Sequence, residues 1–482
     1  MCDIIESMSV KKFSVACVLV LFGLFARSVV GASPKYVFVF IGDGMSTPQR
    51  MVAEEFSRVT GRAELAMNAL PYQVNTRTKS ANSIITDSAA AATAIACGEK
   101  TDNGMLGVRP DGTRLESVAE VAKKAGMKVG IVTTVTVVHA TPAGFYAHNK
   151  SRGKSYQIAL DLIASGFDYF AAGGVYDKFD DREDPLYRGN VFDLARQAGY
   201  RVSIDDRAAW SELGPGSKSW SVFGANGMQF AIDADGSQPT PAELVAKGIE
   251  VLDGPSGFFL MCEGGKVDYA GHANDAATDL REVLALDDAV KVALAFQAKH
   301  PDETLIVTTG DHETGGLSMG FAGIGGRFRV ELLAHQKIST SEFSEYVKRL
   351  VKEKKGKVGF DEMKPVLADK FGFVFEKTGA TEKDPMLLTK ADVQALREAF
   401  EKDVENVRQK MKDTTAHDVA RRYVFAQSAQ RVLNAHAGVG WSSGSHTALP
   451  TLTTAKGPGA EILVGMKENS DLGKRLKGLL RR

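Results

Sequence analysis

The chain has 482 residues, with 59 Lys and Arg set against 59 Asp and Glu and a formal net charge of +0. That length is enough for a large core, while the even balance excludes a basic nucleic-acid-binding surface and an acidic tail. Four cysteines in a chain of this size do not make a disulfide scaffold.

In chain order, residues 1–32 read as an export signal. Lys11-Lys12 precede an apolar run from Phe13 to Phe25, and Val30-Gly31-Ala32 offers small residues for cleavage before Ser33. The run is too short for a comfortable membrane span, and an uncleaved anchor is the alternative. The remainder, 33–482, is expected to be a periplasmic or secreted catalytic domain with no stable membrane span. Cys2 and Cys17 would leave with the signal, and Cys97 and Cys262 are expected to be buried free thiols.

Four apolar runs predict strands that end in polar, glycine-containing turns. Tyr36–Ile41 leads to Gly42-Asp43-Gly44, and Lys128–Val135 leads toward His139-Ala140-Thr141-Pro142. Gly257–Cys262 leads to Glu263-Gly264-Gly265, and Thr304–Thr309 to Gly310-Asp311-His312. Continuous apolar runs suit strands buried on both faces. Helical patterns at 115–125 and 275–299 lie between them. This alternation predicts an α/β fold, a three-layer α/β/α sandwich around a large, mostly parallel sheet. Side chains at the carboxyl ends of its strands would share one crevice.

The stretch from about 320 to 435 has a different texture and is expected to form an inserted helical cap. Phe343, Tyr346, Val347 and Leu350 mark one helix. A second is expected to begin at the capping-box pattern Thr389-x-x-Asp392. Its apolar stripe is Val393, Leu396, Phe400, Val404, Val407 and Met411.

The chemistry-bearing residues cluster at the strand ends. Ser88 opens the alanine-rich run Ser88–Cys97, so it sits at the head of a helix, where the helix dipole and free N–H groups stabilise an alkoxide or a phosphate. A plain N-cap is the alternative for this serine. Asp268 and His272, four residues apart, share one face of a helical turn, and Glu263 precedes them. Asp311-His312, Asp43 and His446 add further oxygen and nitrogen donors without a thiolate, which suits zinc in a catalytic site. Arg152 follows the His139–Pro142 turn; its planar fork suits two oxygens of an oxyanion, a surface arginine is the alternative, and the choice rests on that turn's place in a recognisable family pattern. His148, His300, His335, His417 and His436 lack this strand-end context, and His148, being close to Arg152, is the one with a supporting hydrogen bond to offer.

Six pieces of the chain together resemble the alkaline phosphatases: Ile41-Gly-Asp-Gly-Met45, Thr86-Asp-Ser-Ala89, Ala140-Thr-Pro142 with Ser151-Arg152, Glu263-Gly264 through His272, Thr309-Gly-Asp-His312 and Ser445-His-Thr447. They stand in family order across nearly the whole mature chain. The resemblance implies an enzyme that hydrolyses small phosphate monoesters through a phosphoserine on Ser88, with Arg152 binding the phosphate. Asp268, His272 and His446 would hold a first zinc. Asp43, Asp311 and His312 would hold a second. Asp43, Thr141 and Glu263 would hold a third ion, usually magnesium. It also implies a homodimer.

Two positions depart from well-known bacterial members of that family. His139 stands where they carry aspartate, which weakens the expectation of magnesium at the third site. Tyr269 follows Asp268 where Lys or His is frequent, and a tyrosine supplies no positive charge to phosphate. A phosphodiesterase or sulfatase of the same superfamily, or a non-catalytic phosphate- or zinc-binding protein, are the competing readings.

Overall fold

A computed structural model describes residues 33–176, 180–375, 384–412 (side chains to 409) and 424–481. The expected signal segment and His417 lie outside these residues, as does the side chain of Met411. The strands are β1 (Tyr36–Gly42), β2 (Tyr72–Thr76), β3 (Lys128–Thr136), β4 (Tyr169–Gly173), β5 (Arg201–Ile204), β6 (Ser219–Val222), β7 (Phe258–Gly264) and β8 (Thr304–Gly310). After them come the short β9 (Glu313–Thr314), β10 (Leu317–Met319), β11 (Val439–Trp441) and β12 (His446–Thr447), and finally β13 (Thr451–Lys456).

Nine strands form one sheet in the order β2-β13-β8-β1-β7-β3-β4-β6-β5. Its pairs from β8 to β5 are all parallel, and β13 runs against both of its neighbours. The four apolar runs of the sequence are β1, β3, β7 and β8, and they lie side by side in the middle. Alternation along them feeds two cores. Phe38, Phe40, Phe258, Leu260 and Ile306 face one layer of helices, while Val37, Val39, Ile41, Phe259, Met261 and Val307 face the other. This is the expected three-layer sandwich.

The first face carries helices Thr47–Val59, Pro241–Leu252 and Ala276–Gln297, and its core continues into the helices between 340 and 437. Those are Thr340–Glu353, Phe360–Phe371, Lys390–Lys412 and Val424–Ala437. Phe343 and Val347 are buried, as are Leu396, Phe400, Val404 and Val407 of the stripe. The capping box forms: Thr389 Oγ1 accepts from Asp392 N at 3.1 Å, and Asp392 Oδ2 accepts from Thr389 N at 2.9 Å.

The second face carries Ser88–Cys97, Val118–Lys124, Ala140–Ala143, Ser155–Ser165, Val191–Gln197 and Asn469–Leu480. Every residue of Ser88–Cys97 is buried. Its small side chains allow close packing. A Cβ at Gly473 on the last helix would come within 2.5 Å of Ile95 O, so glycine is needed there.

Candidate metal centre

Register decides which strand ends meet. Ile41 of β1 pairs with Glu263 of β7 and with Thr309 of β8, and Gly42 pairs with Gly264 and Gly310. Asp43 and Asp311 therefore leave the sheet at one level, beside Glu263. Gly44 N donates to Asp311 Oδ1 at 3.0 Å, bracing the two loops against each other. Gly44 has φ 75, and a Cβ there would lie 2.8 Å from Thr314 Oγ1 and 2.9 Å from the Asp268 backbone, so glycine is required on both counts.

Three groups of donors result: Asp268, His272 and His446; Asp43, Asp311 and His312; and Asp43, His139 and Glu263, each with its donor atoms within 4.8 Å of one another. Asp268 and His272 lie on a helix of their own, Lys266–Ala273, which ends at Asn274 before the long helix Ala276–Gln297 begins. The helical turn of Asp268 and His272 and the 275–299 pattern of the sequence are thus two successive helices. His272 Nδ1 meets Gly444 O at 2.9 Å, and His446 Nδ1 meets Thr86 O at 2.9 Å. A carbonyl on Nδ1 fixes the tautomer and leaves Nε2 to ligate, and both Nε2 atoms lie 3.4 Å from Asp268 Oδ1. His446 pairs with Thr314 across the short β9–β12 ladder, and its ring stacks on His312 with centroids 3.6 Å apart. His312 Nε2 is 3.3 Å from both Asp43 Oδ1 and Asp311 Oδ2. Thr141 Oγ1 donates to Asp43 Oδ2 at 3.2 Å.

Buried polar atoms test whether these residues suit cations. Asp43 Oδ1, Glu263 Oε1, Asp311 Oδ2 and His139 Nδ1 are buried with no hydrogen-bond partner. Such atoms are costly unless something satisfies them, and all four belong to the donor groups. Burial, with Asp311, Asp268 and Glu263 close by, drives Asp43 well above the usual carboxylate range. Burial likewise raises Asp311 to about 7. Burial also opposes the charge on Asp268, but the His446 hydrogen bond and the neighbouring histidines outweigh it and hold that carboxyl low. Crowded carboxylates with nitrogen and oxygen donors and no thiolate fit divalent cations of the zinc type.

Ser88 faces the second group, with Oγ 3.2 Å from His312 Nε2. It is the first residue of its helix rather than the cap. Asp87 is the cap, its Oδ1 accepting from Ala90 N at 3.0 Å. The other Asp87 oxygen, Oδ2, takes Arg152 Nη1 at 3.1 Å and Gly104 N at 3.0 Å. Arg152 Nη2 reaches His139 Nε2 at 3.2 Å, so the guanidinium spans the gap between the Ser88 helix and the third group.

The sequence model described as alkaline phosphatase matches residues 34–171 and 181–481. The chain belongs to the alkaline phosphatase family. It is 31% identical to alkaline phosphatase 3 of Bacillus subtilis over 455 residues, covering 92% of this chain and 88% of that one. It is 30% identical to alkaline phosphatase 4 of the same organism, covering 97% and 96%. Among solved structures, the alkaline phosphatase of Thermus thermophilus superposes with a TM-score of 0.74 at 26% identity, covering 94% of this chain and 92% of that one. The protein is a metal-dependent phosphoric monoester hydrolase.

In this alkaline phosphatase the other described histidines stand apart from the three groups. His148 bonds Gly107 O at 2.9 Å and Glu120 at 3.2 Å, so it braces the segment leading to Arg152 and does not touch the donors. His300 packs on Phe296 and Tyr36, and His436 bonds Pro385 O at 2.6 Å. Cys97 and Cys262 are buried free thiols, and burial pushes Cys97 up to about 12. The Tyr269 ring stands edge-on to His139 with centroids 6.0 Å apart. Burial and a hydrogen bond with Tyr176 keep its phenol neutral.

Several supporting residues escaped the sequence reading. Thr314 Oγ1 donates to Asp268 Oδ1 at 2.5 Å, Thr133 Oγ1 bonds Glu263, and Asp87 holds Arg152. The Asp-Ser pair carried the only local signal, the cap preference of aspartate. Thr133 meets Glu263 across β3 and β7 and Thr314 reaches Asp268 on a helix, and neither carries a local signal. His139, expected only to weaken magnesium binding, is a member of the third group: its Nδ1 lies 3.6 Å from Asp43 Oδ2 and 3.9 Å from Glu263 Oε1.

Proposed function

We propose that this enzyme is an exported, homodimeric alkaline phosphatase of broad monoester specificity that works through a phosphoserine on Ser88. The observation that carries this reading is the position of Ser88 Oγ, at a helix N-terminus and 3.2 Å from His312 Nε2, with Arg152 tethered to the adjoining residue. Asp268, His272 and His446 would hold one zinc ion and Asp43, Asp311 and His312 a second. Asp43, Thr141 and Glu263 would hold magnesium, with His139 able to turn that site toward a softer ion. The ions would supply positive charge against the oxygens of an in-line displacement.

The chain's own groups do the rest. Ser88 Oγ forms the bond to phosphorus as the bond to the alcohol oxygen breaks, and the alcohol leaves with a proton. Arg152 presents two N–H groups to non-bridging phosphoryl oxygens. Water then adds to phosphorus from the opposite side, the Ser88 oxygen leaves, and inorganic phosphate is released. These groups are all aimed at the phosphoryl group, which supports indifference to the alcohol. Export is supported by the Lys11-Lys12 and Phe13–Phe25 pattern. No helix among the described residues is long and apolar enough to cross a membrane.

Hydrolysis of a chromogenic phosphate monoester by the purified protein, before and after chelation and with zinc returned, tests the reading. Zinc-dependent turnover with acid-stable phosphate on Ser88 is expected. Faster turnover of a diester or sulfate ester than of the monoester, or label on another residue, would overturn it.

A further inference from the structure

The insertion reaches the turn directly behind His272. Helix Lys266–Ala273 ends at Asn274, whose φ is 58, and the last carbonyls of a helix have no donor of their own. Here the donors come from helix Val424–Ala437. Gln430 Nε2 donates to Ala273 O at 2.8 Å and also to Asn274 O, and Asn434 Nδ2 donates to Asn274 O at 2.8 Å. Gln430 and Asn434 are buried and one helical turn apart, on the same face.

The other side of that turn is also tied to the insertion. Asp275 caps the long helix through Thr278 N at 3.1 Å. It also accepts from Thr340 N and from Gln336 Nε2, each at 2.9 Å. Thr340 Oγ1 lies 2.9 Å from Gln430 Oε1, closing the network. Beyond Ala437 the same chain runs through β11 to Gly444, which holds the His272 ring, and to His446. That helix therefore holds the turn behind His272 and anchors the start of the segment that carries Gly444 and His446. Asp43, Asp311 and His312 sit in the turns that follow β1 and β8 and, among the described residues, take no hydrogen bond from that helix.

We propose that Gln430 and Asn434 are positioning residues for Asp268, His272 and His446, so that the insertion sets the affinity of the first ion selectively. This rests on the reading that those three residues bind zinc. The loss of a polar group that orients a ligand typically costs ~10–100-fold in metal affinity.

The test is titration of the metal-free protein with zinc against a chromophoric chelator, with His446→Ala identifying the step that belongs to the first group. Gln430→Met and Asn434→Leu, singly and together, are expected to weaken that step by ~10–100-fold and leave the other unchanged. The visible spectrum of cobalt(II) in the same step is expected to change. Asn434→Ser, which keeps a shorter donor and disturbs packing least, is expected to lose less. Phe425→Leu, a core change on the same helix, is expected to lower the thermal midpoint with no selective effect on either step. A parent protein that binds no zinc would sink the reading of the site itself. A parent with two zinc steps overturns the present proposal if the variants leave both steps unchanged, or weaken both together as the thermal midpoint falls.

Discussion

Asp87 holds Arg152 with the oxygen that its helix cap leaves free, Oδ2 at 3.1 Å from Nη1 while Oδ1 accepts from Ala90 N at 3.0 Å. One carboxylate thus fixes both the helix that presents Ser88 and the guanidinium expected to grip the phosphate. Asp87→Asn keeps the capping oxygen and removes the ion pair. It is expected to weaken inhibition by inorganic phosphate several-fold; the partly exposed pair contributes little to folding, and the lost bond from Gly104 N costs about 1 kcal/mol of stability. A phosphate inhibition constant equal to that of the parent would count against the tether.

Arg152 should discriminate between esters. A monoester offers enough free oxygens for its two-pronged fork, whereas a diester has one replaced. Arg152→Ala is expected to cost monoester kcat/KM ~10²–10³-fold, the scale of losing a charge-stabilising donor, and diester kcat/KM far less. Parallel measurement of the two substrates decides it, and equal losses would reject the clamp.

Ser88→Ala should separate chemistry from assembly. Ser88 is not the helix cap, and alanine is a good first-turn residue, so the fold and all the donor groups are expected to survive. Turnover should fall by at least ~10³-fold while zinc content, measured by elemental analysis, stays at the parental value. Retention of most activity would remove Ser88 from the reaction.

His139 and Tyr269 should govern phosphate retention and the third ion. His139 brings a nitrogen to Asp43 and Glu263, and the half-buried, neutral Tyr269 phenol brings no charge. The combined change His139→Asp and Tyr269→Lys is expected to tighten inorganic phosphate and increase the response to magnesium, since an added carboxylate favours a hard cation and an added ammonium attracts the anion. Inhibition constants under matched metal and pH test this, and no tightening would refute the explanation.

Glu282 should impose a pH dependence on stability. It is buried, faces Lys266 and Asp233, and accepts from Ala231 N at 2.6 Å. Burial raises it from 4.5 to about 7, against the opposing pull of Lys266. The folded protein then binds this proton more tightly than the unfolded chain does. Its contribution to stability is greatest below roughly pH 4.5, falls as pH rises to about 7, and is flat above. Glu282→Gln is expected to be more stable than the parent at pH 8.5, by up to about 3 kcal/mol, and to lose that advantage near pH 5. Urea midpoints at the two pH values, with zinc held constant, provide the comparison.

The sequence by itself determined the four central strands and the family, and it singled out the side chains that the fold brings together. β1, β3, β7 and β8 were legible because strands buried on both faces must be apolar at every position, so each run stops abruptly where the sheet meets the crevice. The same abruptness exposed Asp43, Glu263, Asp311 and His312, each in or beside a glycine turn. Ser88 was legible because nothing but a helix suits nine following residues that are small or apolar. Tertiary structure alone decided what surrounds them. The threonines on Asp268 and Glu263, the hold of Asp87 on Arg152, and the reach of Gln430 and Asn434 to the turn at Asn274 all join residues far apart in the chain. Hydrogen bonds of that kind leave no periodic trace, because their partners are chosen by strand register and helix packing and not by neighbours in sequence.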